Sequence, residues 1–339
     1  MSGEDKKFKF DVVIGNPPYQ EDRKGTSKTA LPIYNDFMDG AYEVADKVEL
    51  ITPARFLFNA GRTPKSWNKK MLSDKHLKVI FYEKDSKKVF ANTEIKGGVT
   101  VTYWDRQEDF GAIGVFTEYP TANSILHKIQ KISVDYMRDI CGVATKFNIK
   151  NLFANFNEYA GHERRMSSNV LKFKCFYDED RPNSIRIYGI MNNSRVYRNI
   201  DSEYVDLTDN FINRYKIILP KADGNGGFGD TLTNPEILSP GTGFTHTFFS
   251  VGSFDTKLEA ENALKYVKTK FSRMALSVLK VTQDNSPAKW EYVPLQDFTS
   301  SSDIDWSKSI PEIDQQLYKK YNLPSEEIDF IETHVKEMD

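Results

Sequence analysis

The chain has 339 residues, 39% hydrophobic and 13% aromatic, and its 46 basic and 48 acidic side chains leave a net charge of −2, which excludes global disorder and a globally basic nucleic-acid binder. The length suits two domains, and two cysteines, Cys141 and Cys175, exclude a disulfide scaffold and a four-cysteine zinc site and point to a reducing, cytoplasmic setting. No apolar run is long enough to span a membrane, and the polar, lysine-rich first ten residues are not a secretory leader.

In chain order, Phe10-Asp11-Val12-Val13-Ile14-Gly15 reads as a short buried strand. Asn16-Pro17-Pro18-Tyr19 follows at once, and two prolines make it a rigid turn. A polar loop with Arg23, Lys24 and Lys28 precedes a helix expected over residues 32–45. Strands are expected at 48–52, 77–82 and 99–104, with a helix at 67–72 between the first two. Strand alternating with helix argues for a mostly parallel sheet, and this front portion is the size of half a doubly wound domain. Residues 125–137 read as a linking helix. From 147 to 247 short strands (171–176, 185–190, 216–219, 244–251) make an irregular, mostly β region. Residues 258–280 read as one amphipathic helix, with Leu264, Val267, Phe271, Met274 and Val278 on its core stripe, and two short helices are expected around Pro324.

Charge is uneven along the chain. Residues 55–106 hold twelve Lys and Arg against five Asp and Glu, and residues 295–339 hold four against eleven. A charge run alone reads first as a solvated face. Five scattered histidines form no zinc motif with the cysteines. Asp85 with Glu94-Ile95-Lys96 matches a nuclease pattern only loosely. Arg164 and Arg165, and Gln283-Asp284-Asn285, read as exposed polar segments before they read as contacts to phosphate or bases.

The turn after the first strand carries the chemistry. An exocyclic amine is a poor nucleophile because its lone pair is delocalised into the ring. Two fixed acceptors, the Asn16 side-chain oxygen and the Pro17 carbonyl, can bend it toward tetrahedral geometry, and the Tyr19 ring can stack on a planar base. Pro18 keeps the turn rigid.

With its preceding strand, this tetrapeptide resembles the catalytic motif of γ-class adenine-N6 DNA methyltransferases of restriction–modification systems, of type II and IIG-like kinds. The following helix, Glu49 to Phe56, and Val89-Phe90-Ala91-Asn92-Thr93 with residues 97–103 are similar to the next parts of those enzymes. The tail from Trp290, and Pro220-Lys221-Ala222 with residues 224–229, resemble their target-recognition regions. The resemblance implies an α/β fold: a partial Rossmann-like methyltransferase sheet in residues 1–118, then a mixed, mostly β target-recognition domain with C-terminal helices in residues 119–339. It implies methyl transfer from S-adenosylmethionine to a flipped adenine of double-stranded DNA. Asn16, Pro17, Pro18 and Tyr19 would be catalytic and Phe90 would stack the base. Arg23, Lys24, Lys28, Lys221, Gly226 and Gly227 would meet DNA, and no metal is implied.

The sequence departs from that family at the donor. The glycine turn that cradles S-adenosylmethionine precedes the catalytic turn in γ-class enzymes, and only nine residues precede Phe10 here. Residues 224–229 follow an apolar strand, but Thr231 to Pro235 cannot continue as the helix such a turn opens. The expectation is a chain incomplete without a cofactor-binding half, with partners that carry that half or a nuclease. The alternatives are a non-catalytic DNA-recognition subunit or remnant, and a methyltransferase acting on RNA or on a protein glutamine.

Overall fold

A computed structural model of the chain describes residues 10–21, 31–91, 93–156, 166–167, 170–208, 210–224 and 226–338. The chain divides into two units, Met1–Asn123 and Ser124–Asp339. In the first, strands β1 (Phe10–Gly15), β2 (Ala45–Pro53), β3 (Leu77–Glu83) and β4 (Val99–Asp105) form one sheet in the order β1-β2-β4-β3. Helices α1 (Tyr34–Val44) and α2 (Lys65–Ser73) lie between strands in the chain. β1 runs parallel to β2, whereas β4 is antiparallel to both its neighbours. The mostly parallel sheet expected from alternating elements is therefore corrected: one pairing in three is parallel, because the chain returns from β3 as an antiparallel neighbour and inserts β4 beside β2.

Among the described residues, α1 and α2 cover one face of the sheet. Tyr34 and Met38 of α1 and Trp67 and Met71 of α2 pack with Val48, Leu50, Leu77 and Trp104 in a single buried cluster, which Val13 joins from β1. Strand alternation sends Phe10, Val12 and Ile14 to the opposite face, where they are 53%, 48% and 74% exposed, and Phe81 on β3 is also exposed. β1 is an edge strand, so its outer row of backbone groups is unpaired among the described residues as well.

The second unit begins within α3 (Pro120–Ile132) and holds α4 (Ile149–Asn155) and two further sheets. One orders β10 (Thr242–Phe244), β6 (Ser184–Met191) and β7 (Ser194–Asp201); the other orders β5 (Cys141–Gly142), β11 (Phe248–Phe254), β8 (Tyr215–Pro220) and β9 (Glu236–Leu238). The β6–β7 hairpin turns on Asn192 and Asn193, both at positive φ. Three expectations fail here. Residues 171–176 form no strand but begin in a short 3-10 turn, and the Leu171 and Phe176 carbonyls accept from the Arg198 guanidinium instead of a neighbouring strand. The run at 244–251 is split between β10 and β11. The linking helix ends at Ile132 and does not reach Met137. Buried in this unit, Lys216 donates to the carbonyls of Phe211, Ile212 and Arg214 at 3.2, 3.1 and 2.7 Å, and burial lowers its pKa to about 8.

The long amphipathic helix is also two: α5 (Lys257–Lys268) and α6 (Lys270–Ser277), followed by α7 (Ile310–Lys320) and α8 (Ser325–His334). Thr269 breaks the run by leaving helical ψ, and its hydroxyl caps Ser272. Asp314 of α7 accepts the amides of Lys270 and Phe271 at 3.0 and 2.9 Å, satisfying the orphan donors of α6. No helix among the described residues is long and apolar enough to cross a membrane.

Burial raises the Asp314 carboxyl from the ordinary 3.8 to about 6, against the pull of those two amides. A raised folded pKa adds stability that is complete below the unfolded value and lost as pH rises through the folded one. Between pH ~4 and ~6 the wild type should lose of the order of 3 kcal/mol relative to Asp314→Asn. Urea unfolding of both proteins across that window checks it, and parallel curves would contradict the assignment.

Candidate active site

Because β1 and β2 are parallel, their carboxyl ends lie side by side, the position at which open α/β sheets bind ligands. Asn16 to Tyr19 leave β1 without regular structure, as the two prolines require. The Asn16 side chain is exposed and, like the Pro17 carbonyl, has no hydrogen-bond partner among the described residues. Two acceptors are thus left open on a rigid turn.

The far end of the turn is pinned. The Tyr19 carbonyl accepts from Ile33 at 3.2 Å, Glu21 donates to the Leu31 carbonyl at 2.9 Å, and Gln20 bridges Pro32. Those pairs tie the turn to the entry of α1. Arg23, Lys24 and Lys28, expected at phosphate, fall between the pinned ends and lie outside the described residues, as do Arg164 and Arg165.

Two clefts flank the turn. One, of about 480 Å³, is apolar and runs from Val13, Gly15, Asn16 and Pro17 to Phe37, Gly40, Ala41 and Val44 of α1. The other, of about 400 Å³, is lined by Tyr19, Tyr34, Pro53, Arg55, Arg62 and residues 93–95. Tyr19 packs at the edge of the buried cluster; burial raises its phenol pKa, and its hydroxyl is buried without a described partner. Burial likewise pushes the Tyr34 phenol up to about 12, opposed by Thr63 and by the Arg55 charge.

Phe90 is a neighbour of Tyr19, with ring centroids 6.5 Å apart at 64°. That is an edge-on contact, so accepting a base between two parallel faces requires one ring to turn. Its loop hangs on one buried side chain: the Ser86 hydroxyl donates to the Thr93 carbonyl at 2.9 Å and accepts from the Ile95 amide at 2.8 Å. The Asp85 carboxylate accepts from the Lys87 amide, as a turn cap. Sequence reasoning passed over Ser86, Tyr34 and the seating of Arg55, since none carries a local motif.

The remaining expected contacts lie in the second unit. Lys221 is half-buried; its amide donates to Thr247 and its carbonyl accepts from Asn285. Gly227 is exposed. Gly226 is held by packing: at φ +82, a Cβ there would sit 2.3 Å from the Thr282 backbone. Asn285 is fully buried and spent on Asp223 and Trp290.

The residues around a bound S-adenosylmethionine would include a glycine turn opening a helix. Residues 224–229 pass into Asp230 to Pro235 without one, and Gly229 closes on the backbone of His334 and Val335 instead. The described residues therefore do not fit the methyl donor. Nor do they contain a group of three or more His, Cys, Asp or Glu able to hold a metal.

A family described as Eco57I restriction-modification methylase matches residues 2–90. A protein of Mycoplasma pneumoniae (strain ATCC 29342 / M129 / Subtype 1), described as an uncharacterized adenine-specific methylase, is 36% identical over 100 residues, 29% of this chain and 24% of that protein. Among solved structures, the type IIL restriction-modification enzyme MmeI in complex with DNA aligns with 95% of this chain and 56% of its own, at 9% identity and a TM-score of 0.39. The chain thus spans about a quarter of the curated relative and just over half of MmeI. The matched family stretch contains β1, the Asn16–Tyr19 turn, β2, β3 and Phe90, and links the chain at family level to adenine-specific restriction–modification methylases.

Replacing Ser86 by alanine strands the Thr93 carbonyl and the Ile95 amide. The first unit should lose roughly 2 kcal/mol, read from the urea midpoint. An unchanged midpoint would remove Ser86 as the anchor of the Phe90 loop.

Proposed function

We propose that the chain carries the base-acceptor side and the recognition region of a site-specific DNA adenine-N6 methyltransferase, of γ-class type, from a restriction–modification system. One observation carries the reading. A rigid turn at the end of a parallel strand presents two acceptors unpaired among the described residues, Asn16 Oδ1 and the Pro17 carbonyl, with an aromatic ring three residues after Asn16. Aimed together at an exocyclic amine, they accept its two hydrogens and favour the pyramidal nitrogen needed for attack. Pro18 holds the spacing. Tyr19 supplies the stacking face for a flipped adenine, with Phe90 as second ring after it rotates. Arg23, Lys24, Lys28 and the basic stretch 55–106 supply sequence-independent attraction to phosphate.

The misfit to the methyl donor supports a second element of the proposal: a donor-binding half joins at β1. Three features of that edge favour it. Among the described residues the strand's outer hydrogen-bonding row is free, Phe10, Val12 and Ile14 form an exposed apolar row on one face, and the apolar cleft against α1 lies on the other. A contiguous row of large apolar side chains on an edge strand is surface that a partner covers. The same misfit is what favours the second reading, a recognition subunit that makes no transfer of its own.

Calorimetry of the purified chain with S-adenosylmethionine should show no binding; clear heat would mean that the chain builds a donor pocket itself. Methylation of duplex DNA is then assayed with the chain and a donor-binding half of an adenine methylase supplied in trans. Asn16→Ala should slow transfer by about 10²–10³-fold without changing the fold. Transfer to RNA or to a glutamine peptide in preference to DNA, or an active Asn16→Ala protein, would defeat the reading. Ile14→Lys, at a site 74% exposed, should leave the isolated chain's stability unchanged and abolish complementation.

A further inference from the structure

The cleft beside Tyr19 is built around an arginine that the acceptor chemistry does not use. Arg55 follows Pro53 and the buried Ala54 at the carboxyl end of β2, inside a short 3-10 turn. Its Nε donates to the Lys96 carbonyl. Two glycines, Gly61 and Gly97, both at φ +89, close over its stem: a Cβ on Gly61 would lie 3.2 Å from Arg55 Cβ, and one on Gly97 2.9 Å from Arg55 Cγ. Side chains rarely adopt that backbone conformation, so glycine at both places opens the slot in which the stem lies.

The stem and Nε are gripped, but the two terminal amino groups have neither a hydrogen bond nor a carboxylate among the described residues. Arg62, exposed on the same cleft, has no described ion pair either. Tyr19 lines the same cleft, and its hydroxyl is buried without a partner among the described residues. Against two guanidinium groups, the described lining offers a single acid, Glu94. An ordinary surface arginine finds a carboxylate or points into water; this one is held still with its fork unspent.

We infer that Arg55 and Arg62 form a clamp for a backbone phosphate of the strand that carries the target base. A phosphodiester is the ligand whose geometry fits a fixed guanidinium fork, taking two parallel N–H···O bonds. Arg55 is a positioning residue: it fixes the strand while Asn16 and Pro17 hold the amine. This rests on the nucleic-acid reading above and adds to it the place where the strand is gripped. Because a phosphate contact carries no sequence information, the clamp acts on any duplex.

The test is fluorescence anisotropy of the full chain on a labelled duplex of arbitrary sequence, across a salt series. Arg55→Met keeps the stem that fills the glycine slot and removes the fork. The slope of log Kd against log salt should fall for Arg55→Met and for Arg62→Gln, and by about 1 when both are replaced, since the two guanidinium groups share one phosphate. Arg55→Lys should keep the slope and bind more weakly, since the charge stays and the bidentate geometry goes. Arg62 is exposed, so its variant remains informative where Arg55→Met fails to fold. Wild-type binding with both slopes unchanged would overturn the clamp and leave the DNA reading standing. A wild type that binds no duplex would overturn both.

Discussion

The parallel pairing of β1 with β2 is the contact on which the site depends. Its register, from Phe10 opposite Ala45 to Gly15 opposite Leu50, brings two chain segments out of the sheet at the same end. One becomes the Asn16–Tyr19 turn and the other becomes the Pro53–Phe58 segment that carries Arg55. An antiparallel pairing would send them to opposite ends of the sheet and leave no cleft between Tyr19 and Arg55. Helix α1 makes the parallel order possible, because it returns the chain to the start of β2 and buries Tyr34 and Met38 on the way. The candidate site is therefore a by-product of one crossover, which sets the backbone of both its walls.

Most of the first unit was legible in the sequence. Residues 10–15, 48–52, 77–82 and 99–104 announce strands by short apolar runs bounded by glycine, proline or charge, and the structure extends each by a few residues at most. Strand direction was not legible, since local pattern says nothing of which way a strand enters the sheet. The break at Thr269 was hidden for a similar reason. The apolar stripe from Leu264 to Val278 runs through it unbroken, and what stops the helix is a cap completed by Asp314, far along the chain. β7 escaped because Ser194-Arg195-Val196-Tyr197-Arg198-Asn199 carries two arginines, both of which turn onto backbone carbonyls. At the site, the tetrapeptide was readable because proline restricts the backbone whatever surrounds it. Arg55 was not, because its seat is made by two glycines whose approach is a matter of tertiary structure.

The second unit spends its polar residues on itself. Asp223 joins the Lys280 ammonium through its carbonyl, and Asn285 and Thr233 through its carboxylate, and Asn285 in turn holds the Trp290 indole. Arg273 is almost wholly buried and donates to the carbonyls of Lys268, Gly229, Asp230 and Lys336. Such networks fix loops to helices beside the apolar core, which suits a region built from short strands and long connections. They also explain why Asn285, a residue type that looks like a base reader in the sequence, is withdrawn from the surface while Gln283 and Asp284 beside it stay exposed.

Lys216 has a practical corollary. Its amine sits at zero exposure under three backbone carbonyls, while many of the chain's other lysines stand in solvent. An acylating reagent takes a free, unprotonated amine that it can touch; burial lowers this one's proton affinity yet bars the approach. Its labelling is thus gated by opening of the second unit, whatever the first unit is doing. A single peptide in a mass spectrum then serves as a clock for that opening, in a chain where spectroscopic probes such as the four tryptophans report on both units at once.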